Sequence, residues 1–197
     1  MVGAGSLRDW PSRWAVSHST MIACRPQSGS GASRTRRSVP LPVLEVDGQT
    51  LAQSNAINRY VGKLTDLYPT DAWQAALCDE VMEAVEDIST KIAATMFLPD
   101  EEKKSQRKAL VDGPIPFYLA RLQQRLEAHG GRYFAADRLT VADLKVFVWV
   151  RHLRSGVLDH IPEDLPDRVA PKLVEHYERV KNDPRVQAYY AKHGVTS

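Results

Sequence analysis

A side-chain amide and a hydroxyl stand next to each other at Gln53 and Ser54, directly before a run of residues with helical spacing. The start of a helix presents backbone N–H groups that have no intrahelical partner, and the positive end of the helix dipole lies there. Both features favour an anion, and the Ser54 hydroxyl adds one more donor. Ser54 at the helix start therefore predicts a site for an anionic group there.

A proline and a hairpin precede that helix. Pro42 follows Leu41, and because proline has no N–H to donate to a strand ladder, it belongs at the start of a strand or in a cis turn. Residues 43–46 alternate in the manner of a strand, and Asp47-Gly48 supplies the two positive-φ residues of a type I′ turn. Residues 41–61 therefore predict a strand, a tight turn, a second strand and a helix.

The combination of Leu41-Pro42 before the first strand with Gln53-Ser54 at the helix start resembles the glutathione-binding half of the cytosolic glutathione S-transferases, especially the sigma-like class. The resemblance covers about Val39 to the C-terminus. It implies a cis Pro42, so that Leu41 offers its backbone N–H and C=O to the cysteinyl part of glutathione. It also implies that Gln53 and Ser54 hold the glutamyl end. Each residue taken singly also has a simpler interpretation. Ser54 would then be only a helix cap, Gln53 a solvated turn residue and Pro42 the end of a loop.

The same resemblance assigns a role to an acidic residue further along the chain. Asp87, in the segment Val85-Glu86-Asp87, would cross a homodimer interface to meet the glutamyl amine of the neighbouring subunit's glutathione. An exposed helix acid is the alternative interpretation. Arg59 resembles a dimer-contact residue. The reaction implied is attack of the glutathione thiolate on a small electrophile, with glutathione as cosubstrate and no metal.

Composition limits the other classes of function. The chain has 197 residues, of which 43% are hydrophobic, and a formal charge of +2, which suits one large or two small globular domains. Such a balance gives no reason to invoke nucleic acid or an anionic membrane, and no apolar run reaches the length of a membrane span. Cys24 and Cys78 are too few and too far apart for a disulfide framework or a zinc site, which favours a reducing compartment.

From Thr70 onward the pattern predicts helices only. The predicted fold class is thus a thioredoxin-like α+β remnant, a hairpin plus a helix, followed by an all-α bundle, so that the chain is mostly α. The first bundle helix is predicted over 71–97 with Thr70 as N-cap, and the second from Pro114 to the stop at Gly130-Gly131. The stretch 99–108 is expected to be charged and exposed, and a final helical pair is predicted near 171–181 and 184–192. The buried stripe of the first helix is predicted to be Trp73, Leu77, Val81, Ile88, Ile92 and Met96, with Cys78 packed beside it as a small hydrophobe.

A capping box marks the central helix of the bundle. Thr140 can cap the Asp143 N–H, Asp143 can accept from the Thr140 N–H, and Leu139 can pack on Leu144 as a hydrophobic staple. Residues 146–150 are apolar almost all round, as a buried helix requires. Because capping explains both polar residues, we assign Thr140 and Asp143 to folding. The helical domain of the resembled family has such a capped core helix.

The segment 1–38 departs from the family pattern. It holds six arginines against the single acid Asp9, with serines throughout, and resembles a mitochondrial transit peptide. The alternative is that the true first exon has been replaced by translated non-coding sequence or by another start. A complete family member begins with a strand that carries the tyrosine, serine or cysteine acting on the glutathione sulfur, and here no tyrosine occurs before Tyr60. We therefore leave the catalytic residue unassigned.

These observations give three segments and two hypotheses. Residues 1–38 are expected to be disordered or a presequence, 39–69 a partial thioredoxin-like domain, and 70–197 the helical domain. The first hypothesis is a cytoplasmic, homodimeric glutathione transferase, mitochondrial if 1–38 is a presequence, whose activity is impaired by the missing first strand. Isomerisation of prostaglandin endoperoxides or reduction of peroxides are further reactions implied for a sigma-like member. The second hypothesis is a non-catalytic scaffold that keeps the helical domain for dimerisation or protein contacts.

Overall fold

The computed structural model describes residues 42–194, and this part of the chain divides after Thr65 into two units. Leu41 and the segment 1–38 lie outside the described residues, so their predicted roles stay predictions. The observed order of elements is hairpin, helix and then helices only, which confirms the predicted fold class.

The first unit contains an antiparallel hairpin and one helix. Strands β1 (Val43–Val46) and β2 (Gln49–Ala52) are followed directly by α1 (Ser54–Leu64). Val43 lies opposite Ala52 and Val46 opposite Gln49. The turn between them has φ of 50° at Asp47 and 76° at Gly48, as the type I′ prediction requires.

The second unit is an all-helical bundle. Its elements are α2 (Ala72–Ala93), α3 (Asp100–Asp112), α4 (Pro114–Ala128), α5 (Val141–Leu153), α6 (Leu165–Val169), α7 (Pro171–Lys181) and α8 (Pro184–His193). Helix α5 packs mainly against α2 and α7 and supplies buried residues on every side. The Phe147 ring of α5, for example, stacks on Tyr177 of α7 with 5.2 Å between centroids. The predicted central helix is thus confirmed.

The capping box at the start of α5 is also confirmed. The Thr140 backbone N–H donates to Oδ2 of Asp143 at 2.8 Å, and the Thr140 hydroxyl lies 2.7 Å from the same oxygen. Both side chains are fully buried, and Leu139 is 2% exposed. These contacts fix the point at which the chain turns into α5.

The first bundle helix differs from its prediction at both ends. Its N-cap is Asp71 rather than Thr70, because the Asp71 carboxylate accepts from the Gln74 N–H at 2.9 Å. The helix ends at Ala93, and Met96 lies half-buried beyond it. Trp73 was wrongly predicted to be buried: its side chain is 69% exposed, since it lies in the first turn, before the stripe reaches the core at Leu77.

The stretch 99–108 is mostly exposed, as predicted, and from Asp100 onward it belongs to α3; the prediction is wrong at Arg107, which is buried. Acidic residues fill the first turn of α3, where their negative charges interact favourably with the positive end of the helix dipole. Arg107 is 3% exposed and donates from Nε to the Thr95 hydroxyl at 2.8 Å and from Nη1 to the Asp159 carbonyl at 2.7 Å. These bonds hold α3 against the end of α2 and the loop before α6.

Candidate functional site

The junction of β2 and α1 has an unusual backbone. Gln53, the N-cap of α1, has φ 75° and ψ 120°, and its side chain is exposed. A positive φ in a residue other than glycine is uncommon and costs on the order of 1 kcal/mol or more. The Gln53 carbonyl nevertheless accepts the first helical hydrogen bond, from the Ile57 N–H at 3.0 Å. The chain therefore enters α1 through a strained residue.

This conformation leaves the start of α1 uncapped by its own N-cap side chain. Within the described part of the chain, the Gln53 amide makes no capping hydrogen bond to the first turn, and residues 54–57 include no acid. The first-turn N–H groups and the Ser54 hydroxyl therefore lie where the helix dipole favours an anion. The anion site at this helix start stays a prediction.

The hairpin places Pro42 at the same end of the first unit. Because Val43 pairs with Ala52, Pro42 and Gln53 are the next residues along the two strands, at the open end of the hairpin. Pro42 is half-buried, and Ser54 follows Gln53 at once. Three of the five predicted glutathione-binding residues are thus grouped in the first unit.

Asp87, the fifth predicted site residue, belongs to the second unit. It lies on α2 with an exposed side chain, and Tyr118 Oη on α4 donates to its Oδ2 at 3.4 Å. The preceding residue, Glu86, pairs instead with Lys145, whose side chain is 2% exposed. Arg59, predicted to contact a second subunit, is half-buried on α1.

Tyr118 is the contact of Asp87 that sequence reasoning missed. Its hydroxyl pKa is raised by desolvation, by the charge of Asp87 and by the hydrogen bond to it. The exposed Phe117 ring stands edge-on to the Tyr118 ring, with centroids 5.6 Å apart. Asp87 and Tyr118 are 31 residues apart on different helices, and no local sequence pattern links them.

Cys78 is unsuited to nucleophilic chemistry. The side chain is fully buried in α2, and burial raises the pKa of its thiol to about 11. Its surroundings are thus those of the packed hydrophobe that the sequence predicts.

No three His, Cys, Asp or Glu side chains among residues 42–194 are grouped as a metal site would need. None of the helices described is both long and apolar enough to cross a membrane.

Comparison with known proteins identifies relatives of both units. Residues 86–193 match the family profile described as the glutathione S-transferase C-terminal domain. A glutathione S-transferase of Anopheles gambiae is 30% identical over 160 residues, which cover 79% of this chain and 74% of the mosquito protein. Further curated relatives are matched over little more than half of their own length.

Solved structures show the same fold. The prostaglandin synthase D of Nilaparvata lugens superposes with a TM-score of 0.67 at 27% identity, covering 77% of this chain and 73% of that one. A sigma class glutathione transferase of Fasciola hepatica gives a TM-score of 0.67 at 22% identity, with 80% and 75% covered.

Proposed function

The chain belongs to the glutathione S-transferase family, and from that premise we propose that it binds glutathione as cosubstrate and joins the glutathione thiolate to small electrophiles. Its role would then lie in detoxification or, as in sigma-like members, in isomerising endoperoxides or reducing peroxides. The resemblance to the sigma-like class rests on the motif Gln53-Ser54 and its relation to Pro42. No metal enters the proposed reaction.

The observation that carries this proposal is the positive φ of Gln53 at the start of α1. Strained backbone of this kind persists where the surrounding structure or the function requires it. The Gln53 side chain also makes no capping hydrogen bond to the first turn of α1, and the Ser54 hydroxyl and the adjacent N–H groups suit the glutamyl carboxylate. Leu41 would supply backbone hydrogen bonds to the cysteinyl residue, and a cis Pro42 would orient them.

Asp87 extends the proposed site across a homodimer. Its carboxylate is exposed on α2 and would meet the glutamyl ammonium of the glutathione that the other subunit binds. Two complete sites would then form only in the dimer. Binding and dimerisation are therefore coupled in this proposal.

The catalytic hydroxyl stays unassigned, and the rate of conjugation depends on whether the chain has such a donor. A free thiol with a pKa near 8.5 is only about 3% thiolate at neutral pH. One hydroxyl donor to the thiolate contributes roughly 1.5 to 3 kcal/mol, so a chain without that donor should conjugate on the order of ten- to a hundredfold more slowly. We therefore expect binding of glutathione with weak turnover.

Retention on immobilised glutathione, followed by a chlorodinitrobenzene conjugation assay, tests the proposal. We expect the chain to be retained, and Ser54→Ala to weaken glutathione binding about ten- to a hundredfold through loss of one hydrogen bond to a carboxylate. Ser105→Ala, on the exposed face of α3, is the matched control and should bind normally. Failure of the unmodified chain to bind, or equal binding by both variants, would overturn the assignment of this site.

One observation favours the scaffold as the second candidate. The hydrophobic core formed by buried residues between 67 and 186 lies wholly within the second unit, so the bundle has a core of its own. A chain that is neither retained nor active would support this alternative. Retention without turnover would indicate a binding site that lacks its catalytic group.

In either case we propose a cytoplasmic location, with mitochondria as the alternative if 1–38 is a presequence.

A further inference from the structure

We propose that a cleft at the C-terminal end of α4 binds small primary amines as their ammonium ions. The cleft has a volume of about 270 Å³, and three segments line it: the first turn of α2, the end of α4 and the loop that leads to α5. All three segments belong to the second unit. None of the residues that line the cleft is among the proposed glutathione-binding residues, so this proposal goes beyond the proposed function.

The polar side chains that line the cleft have few partners within the protein. Gln74 uses its Oε1, which accepts from the Ala136 N–H at 2.6 Å. The side chains of His129, Tyr133 and Asp137 make no hydrogen bond or ion pair with any other residue in the described part of the chain. Nε2 of His129 is buried as well, and a buried nitrogen without a protein partner is uncommon enough to need an explanation.

The electrostatics of the cleft favour a cation. Asp137 is exposed and brings a negative charge to the lining. His129 is the C-cap of α4, so the negative end of the dipole of this 15-residue helix lies at the cleft as well. The carboxylate and the helix end therefore attract the same kind of ligand.

The neighbouring arginines do not neutralise Asp137. Three of them have other contacts, which are Arg125 with Glu80, Arg138 with Asp66 and Arg132 with the ring of Tyr133. Arg132 is exposed, so solvent and salt screen its repulsion of a second cation. The charge of Asp137 is therefore available to a ligand.

Size and hydrogen-bonding capacity select a small primary amine. A cavity of about 150 Å³ holds benzene, so the cleft admits a molecule of up to about ten non-hydrogen atoms. An ammonium group has three donors and no acceptor, whereas a carboxylate and one nitrogen of a neutral imidazole are acceptors. It can therefore donate to Asp137 and to His129 at once, with its alkyl chain on the Tyr133 ring. A metal ion is a poorer fit, because the described residues hold no group of three His, Cys, Asp or Glu side chains that could bind one.

Amide NMR titrations of the full chain test the site. The probes are butylammonium and butan-1-ol, which have equal numbers of non-hydrogen atoms and differ in charge. We expect butylammonium to shift the amide signals of Gly130, Ala136 and Asp137 with a Kd of about 1 mM, and butan-1-ol to bind about tenfold more weakly or worse. Asp137→Asn and His129→Phe should each weaken butylammonium binding about tenfold or more, because each removes a hydrogen bond to a charged group.

Glu127→Gln is the matched control. Glu127 is exposed in the last turn of α4, so the substitution removes an equal charge from the same end of the helix without altering the lining of the cleft. The affinity for butylammonium should then change less than about twofold, because solvent screens a charge that does not contact the ligand.

The outcomes decide for or against the cleft. Equal weakening by Asp137→Asn and Glu127→Gln would mean diffuse attraction and would overturn the site, as would equal affinity for the two probes. An unchanged affinity in His129→Phe would overturn the assignment of the imidazole. A spectrum of Asp137→Asn that matches the unmodified chain outside the cleft shows that the variant is folded, so that its loss of affinity supports the site. A chain that fails to bind glutathione can still bind butylammonium, so failure of the proposed function is a separate result.

Discussion

Nε2 of His176 lies 2.9 Å from Oδ1 of Asp143, and both side chains are fully buried. The same carboxylate accepts from the Phe134 N–H at 3.1 Å and from the Thr140 N–H at 2.8 Å. It therefore joins α7, the start of α5 and the segment before α5 at one point. A buried acceptor with this many partners is costly to alter, because each partner is left unsatisfied.

Asp143→Asn should therefore lower the free energy of unfolding by about 2 to 4 kcal/mol, because an amide cannot accept all of these hydrogen bonds. The measurement is urea unfolding followed by circular dichroism. Asp137→Asn is the control: Asp137 is exposed, and its positive φ of 49° is one that asparagine tolerates, so its change should stay within about 0.5 kcal/mol. Similar effects of the two substitutions would contradict the structural role of Asp143.

The contacts of Asp143 also show which interactions the sequence can predict. The spacing of Thr140 and Asp143 is local, so the capping box and its role in folding were predictable. His176 lies 33 residues from Asp143, and a histidine on a helix gives no sign of its partner. The same limit applies to Tyr118 and Asp87, which meet only because α2 and α4 pack together.

A second prediction concerns the ion pair between Lys145 and Glu86. The Lys145 side chain is 2% exposed and that of Glu86 is 44% exposed. Glu86→Gln leaves a buried ammonium without its charged partner and should cost about 1 to 3 kcal/mol. Lys145→Met leaves a carboxylate that water can reach and should cost less.

Urea unfolding of the two variants and of the double variant measures this asymmetry. When Lys145→Met is added to the Glu86→Gln variant, we expect part of the lost stability to return, since the double variant has no buried charge. A larger loss in Lys145→Met than in Glu86→Gln would show that packing of the lysine stem, and not its charge, dominates at this position.

The errors in the helical unit have a common physical cause. Trp73 satisfies the periodicity of α2, yet burial depends on how far the neighbouring helices extend, and the periodicity of one helix does not contain that information. Arg107 lies in a charged stretch, and it is buried because a hydroxyl and a carbonyl from distant segments satisfy its guanidinium. In both cases tertiary contacts decide what the local pattern leaves open.

At the proposed binding site, the order of elements was predictable and the backbone strain was not. Asp47-Gly48 specifies its turn through residue type, and the helix start at Ser54 follows from spacing. The positive φ of Gln53 is different, because glutamine has no preference for that conformation. The residue type therefore gave no sign of it.

A third prediction is a pH dependence at the start of α8. Asp183 caps this helix, and its pKa is lowered by the hydrogen bond from the Arg185 side chain and by backbone N–H groups of the first turn. Because the folded-state pKa lies below the ordinary value of 3.8, the stabilisation is complete above that value and is lost as the pH falls through the folded-state pKa.

Asp183→Asn isolates this effect, since asparagine is an equally good N-cap without the charge. From unfolding measurements between pH 6 and pH 3, we expect the unmodified chain to be more stable by a few tenths to about 1 kcal/mol at pH 6. This difference should shrink below pH 4. A difference that is constant over the whole range would mean that the charge of Asp183 contributes nothing.

A fourth prediction follows from the burial of Cys78, whose thiol pKa is raised to about 11 by desolvation. At pH 8 its thiolate fraction should be about two orders of magnitude below that of a free thiol, and access to the side chain is blocked as well. In a Cys24→Ser variant, where Cys78 is the remaining cysteine of the sequence, Ellman's reagent should label the unfolded protein rapidly and the folded protein hardly at all. Rapid labelling in the folded state would show that α2 opens, and would restore Cys78 as a candidate nucleophile.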